Sequence, residues 1–161
     1  MRAAQTKDVQ EPLMLVMPVK AGATAALRMA LQQLAQEDRA KRLEDTLDRV
    51  GTVHSTRFVI LEDGDSAKLI VVAVFDGTME DYIAAFAREL DEQFNLLFRF
   101  IEDTPDKPRE PVRDHVEPFQ QYVANRNVPP ANGRTYSAYP GLTALDIYEA
   151  TRPREDGAPA L

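Results

Sequence analysis

The residues of this chain best suited to chemistry gather in and just after one apolar stretch, where His54 and Arg57 lie within Thr52–Leu61 and Asp76 opens an Asp-Gly step. An imidazole titrates near neutrality, so His54 is a candidate base, haem ligand or donor to a bound anion, and equally a candidate core or interface histidine bonded to a neighbour. Arg57 is flanked by Val59 and Leu61 and must find a carboxylate, carbonyl groups or a ligand; a salt bridge, with Asp76 as the natural partner, is expected. Asp76–Gly77 suits turn chemistry ahead of Thr78, and an acid at a sheet end beside an open helix N-terminus also borders a place where an anion can dock. Tyr82, Tyr122, Tyr136 and Tyr139 are either cavity-lining rings or core residues with a bonded hydroxyl. His54, Arg57, Asp76, Tyr82, Tyr136 and Tyr139 make up the candidate ligand-binding set. Side chains alternate along a strand, so His54 and Arg57, three residues apart, point to opposite faces unless a bulge intervenes, and only one of them should line a given pocket.

Other chemistries find little footing. The chain has no cysteine, which rules out disulfides, thiolate zinc sites and cysteine nucleophiles. A metal site would need carboxylates beside His54 or His115, and no ligand spacing recommends one. Ser55, Ser66 and Ser137 stand in no nucleophile elbow, and there is neither a phosphate loop nor a dinucleotide fingerprint. A net charge of −7, with Lys and Arg interleaved among acids, disfavours nucleic acid and anionic membrane surfaces. With 44% hydrophobic and 28% charged residues, the 161-residue chain suits a single globular domain over residues 1–150 and a polar, disordered tail at 151–161. The polar first residues lack a secretory core, and the apolar runs Leu13–Val19 and Leu69–Phe75 are too short to span a membrane, so a cytoplasmic protein is expected.

These candidates need elements to hold them in place. Leu13–Val19 is continuously apolar and short, which suits a buried strand ended by Pro18. Leu27, Leu31 and Leu34 recur at helical spacing, and so do Leu43, Leu47 and Val50, but the nine-residue step from Leu34 to Leu43 puts the second set on the far side of a straight helix. Two helices, or one broken near Gln36–Ala40, are therefore predicted, with Gly51 as the stop. Thr52–Leu61 is the second strand, Glu62–Ala67 with Gly64 the hairpin turn, and Leu69–Phe75 the third strand. The third strand is apolar at every position and asks for cover on both faces. Thr78, with Asp81 three residues on, caps a helix carrying Met79, Tyr82, Ile83, Phe86, Leu90, Phe94 and Leu97 along one stripe. A strand, helix, strand, strand, helix order is that of the ferredoxin-like βαββαβ unit, an α+β fold with an antiparallel sheet and helices on one face. Arg134–Tyr139 is the favoured last strand, over Leu97–Ile101. An extra helix over Pro111–Asn125, kinked or restarted at Pro118, is inserted before it, and Thr143 with Asp146 caps a short final helix.

The segments VHSTRFVIL, VFDGTMEDYIAAF and YSAYPGLT resemble a group of uncharacterised bacterial proteins with a His-x-x-Arg-aromatic strand, an Asp-Gly turn, an aromatic helix and a Tyr-Pro strand end. That group is similar in pattern to the dimeric α+β barrel superfamily of ferredoxin-like domains. The resemblance implies a homodimer in which two sheets close face to face and cover the third strand; the inserted helix is the alternative cover. The superfamily includes cofactor-free monooxygenases, haem peroxidases, chlorite-dismutase-like haem proteins and small binding domains, so it implies a pocket and no particular reaction. Two functions are expected from it. One is a binding or accessory domain without a cofactor, taking a small apolar or aromatic ligand in a cleft between sheet and inserted helix. The other is an oxidoreductase that binds haem through His54 or His115, or oxygenates an aromatic substrate unaided.

Overall fold

A computed structural model describes residues 9–152 of the chain. Strand β1 (Gln10–Pro18) leads through helices α1 (Thr24–Leu34) and α2 (Glu37–Val50) to strands β2 (Val53–Asp63) and β3 (Ser66–Asp76). Helices α3 (Met79–Glu89), α4 (Asp91–Phe98), α5 (Val116–Arg126) and α6 (Ala144–Thr151) follow. The predicted helix break falls where the phase jump put it. Gln36 adopts an extended conformation between α1 and α2, and Gly51 ends α2 at φ 70°, a left-handed conformation that costs glycine little. The β2–β3 hairpin turns on Gly64 at φ 57° followed by a residue of negative φ, the pattern of a type II′ turn.

The sheet has three strands in the order β1-β3-β2, both pairs antiparallel. This is α+β, but the βαββαβ expectation is corrected in one respect. Arg134–Tyr139 forms no strand; it runs as irregular chain and turn. Pro129, Pro130 and Gly133 just before it commit the chain to a turn, and Tyr136 is 92% exposed instead of lying on the sheet. Along the free edge of β1, among the described residues, isolated bridges form in place of a fourth strand: Leu15 with Asn127, supported by Val128 N–H donating to the Met14 carbonyl, and Val19 with Ile101, supported by Glu102 N–H donating to the Pro18 carbonyl. The long stripe after Thr78 is likewise two helices, because Leu90 leaves helical geometry between α3 and α4.

One face of the sheet is covered. Leu69, Val71, Ala73 and Phe75 of β3 are buried with Leu13, Leu15 and Met17 of β1, and the helices complete that core. The inserted helix belongs to the same layer: Phe119 of α5 meets Phe94 and Phe98 edge-on at 5.0 and 5.8 Å. It does not cover the second face, as one of the two alternatives required. Ile70, Val72 and Val74 on that face stay half-buried, and Leu61 is 51% exposed. Among the described residues no helix is long and apolar enough to cross a membrane.

Candidate functional site

His54 and Asp76 do meet. His54 Nε2 lies 2.6 Å from Asp76 Oδ1, with side-chain exposures of 12% and 9%. Facing a carboxylate, Nε2 carries the proton and donates it to the bond. The other carboxylate oxygen, Oδ2, accepts the Ala144 N–H at the start of α6, 2.7 Å away. Asp76 N–H donates to the Thr52 carbonyl, and a register shift in β2 between Val53 and Ser55 marks a bulge at His54. The Asp-Gly step thus ties the beginning of β2 to the end of β3 and holds the first free N–H of α6, whose cap is the Thr143–Asp146 box. A carboxylate-oriented imidazole is half of a general-base pair, but among the described residues no hydroxyl is hydrogen-bonded to its other nitrogen.

The salt bridge expected between Arg57 and Asp76 is absent, since Asp76 spends both oxygens on His54 and Ala144. Arg57 is exposed on the open sheet face, opposite Val72 in register, on the other side of the sheet from His54's inward neighbours Thr56 and Phe58. The bulge at His54 interrupts strand alternation between it and Arg57, so parity does not fix their relative facing; what the structure shows is that they are not brought together, His54 pairing with Asp76 while Arg57 stays exposed. Tyr82 is a core ring, stacked on Phe75 with centroids 4.0 Å apart, and burial pushes its phenol well above the ordinary range. Tyr136 and Tyr139 are exposed, and the Tyr139 carbonyl accepts a bond from Gln10 Nε2. His115 sits at the start of α5 beside a shallow groove with Pro105, Arg109 and Gln121. Among the described residues no group of three or more His, Asp or Glu side chains is placed to hold a metal ion.

An apolar recess lies elsewhere, beneath α2. A narrow crevice of about 30 Å³ is walled by Leu43 and Leu47 of α2, Thr56 and Phe58 of β2, and Phe86 and Phe94 of α3 and α4. Its lining is almost wholly apolar, and its volume holds about one water. At Leu34, Leu43 and Gln93 it adjoins a wider surface hollow of about 370 Å³, whose rim carries Arg39, Arg42 and Glu92. Its roof is thin. Thr46 is the one buried residue of α2, while Leu43, Leu47 and Val50 remain half-buried.

None of the six candidate residues lines this crevice or its mouth. The residues that do were visible in the sequence only as helix and strand positions. The phase jump between Leu34 and Leu43 marks the mouth, and Arg39 and Arg42 share one side of α2 at a spacing of three. No protein-family model, curated protein or solved structure matches the chain.

Proposed function

We propose that this protein is a small-molecule-binding or accessory domain of dimeric α+β barrel type, taking an apolar or aromatic ligand between the sheet and α2. The observation that carries this reading is the apolar crevice under a roof helix only half-buried on its inner side and bounded by non-helical Gln36 and left-handed Gly51. Elements with few buried apolar contacts open at low free energy, so a pocket closed to one water's volume opens by lifting α2. Cleft and roof differ from expectation: α2, and not the inserted helix, faces the sheet across the ligand space. Neither histidine lines the crevice, so the haem alternative draws no support from this site.

Indole, a neutral aromatic, tests the reading. It should raise the melting temperature of the wild-type protein in a concentration-dependent way. Leu47→Trp, which fills the crevice from a half-buried helix position, should abolish that rise while folding normally. Indole without effect on the wild type, or with equal effect on both proteins, would sink the proposal.

The open sheet face supports the homodimer. Met14, Val16, Val59, Ile70, Val72 and Val74 form a contiguous apolar surface around Arg57, the kind of patch monomers rarely leave to water. Light scattering should give twice the chain mass for the wild type and the single-chain mass for Val72→Glu; a monomeric wild type contradicts this.

A further inference from the structure

We infer that the natural ligand of the α2 crevice is a monocarboxylate amphiphile, its apolar body under α2 and its carboxylate at Arg39 and Arg42. This rests on the crevice being a ligand site, as proposed above, and adds the chemical class of the ligand.

The apolar crevice and the charged hollow share Leu34, Leu43 and Gln93, so once α2 is lifted one elongated molecule can reach from one into the other. The crevice offers a ligand almost no polar group, which suits only a hydrocarbon or aromatic body. The rim differs. Arg39 and Arg42 stand on the same side of α2, and among the described residues neither has a carboxylate partner; Arg42 Nε donates to the Asp38 carbonyl, 3.1 Å away, which leaves its terminal nitrogens free. Two guanidinium groups together form a forked donor set matched to a carboxylate. Glu92 on the opposite wall leaves the rim with one net positive charge, which a single carboxylate balances and a phosphate monoester of nearly two charges overshoots. The whole chain is acidic, at −7, so an anion is attracted locally to this rim and not by a general field.

Octanoate and octan-1-ol, equal in chain length and different in head charge, are the probes for calorimetric titration of the full-length wild-type protein. Octanoate should bind about tenfold more tightly or better, the worth of one charge-assisted hydrogen bond. The double variant Arg39→Gln, Arg42→Gln alters only exposed positions and should keep the wild-type melting temperature. It should lose the preference for octanoate yet bind octan-1-ol as before. Leu47→Trp should bind neither. Equal affinities for the two probes in the wild type, or a preference that survives in the double variant, overturn the carboxylate assignment while leaving the crevice site standing. Failure of both probes to bind the wild type removes the crevice site and this inference with it.

Discussion

The helical layer over the sheet has two unlike halves. Over α3, α4 and α5 the core is an aromatic chain: Phe75 stacks on Tyr82, Tyr82 meets Phe86, and Phe94 and Phe98 interlock with Phe119 and Tyr122. Its outer end is locked by charge. Arg126 lies 3.9 Å over the Tyr122 ring, bonds both oxygens of Asp106 and donates to Thr104, which anchors the proline-bearing loop after α4. Over α2 there is no such interlock. Leu43 and Leu47, half-buried, line a crevice together with Phe58, Phe86 and Phe94. Rings fix one another through edge-to-face geometry and large buried area, whereas a thin aliphatic roof can be lifted at modest cost. The first half holds the fold, and the second is the less tightly packed.

Substitution at matched sites should give the largest separation between the halves. Phe119→Ala in the ring cluster should cost about 3–5 kcal/mol, against about 1 kcal/mol for Leu47→Ala in the half-buried roof, read as urea midpoints. Comparable losses would mean that α2 is as firmly packed as α5. A smaller effect comes from the charged lock. The Arg126 guanidinium holds the Asp106 carboxyl well below its ordinary value of 3.8, so its stabilisation is complete above that value and is lost as pH falls through the depressed one. The pair is partly solvated, so Asp106→Asn should cost at most about 1 kcal/mol near neutrality. The gap between wild type and variant should shrink on acidification below about pH 4. A gap independent of pH would show that the carboxylate charge does not matter there. Smallest is Tyr122→Phe. Among the described residues the buried Tyr122 hydroxyl has no hydrogen-bond partner, and burial pushes its phenol up to about 12. Its removal should leave stability unchanged or raise it by up to about 1 kcal/mol. A clear loss would reveal a bonded hydroxyl.

Much of the architecture was legible because local rules and the final fold agree. The Leu34-to-Leu43 phase jump located the α1–α2 break, Gly51 and Gly64 marked backbone of positive φ, and Thr78 and Thr143 each capped the helix expected of them. The last strand was misread because Tyr, Thr and Ser suit a strand equally well when exposed, and strand propensity reports fit to a neighbouring surface that here does not form. Asp76 was expected to serve Arg57 and serves His54 and α6 instead, since which acid meets which base depends on the bulge at His54 and on where a distant helix begins.

By itself, then, the sequence determined the α+β class, the helix break and the hairpin, all consequences of short-range periodicity and backbone sterics. Only the tertiary structure decided that the inserted helix joins the aromatic core, that Ile70, Val72 and Val74 are left half-covered, and that Arg39 and Arg42 rim an apolar crevice. Those outcomes depend on which surfaces meet across long stretches of chain. Burial is a non-directional attraction with many near-equivalent partners, and the short-range pattern of the residues does not choose among them.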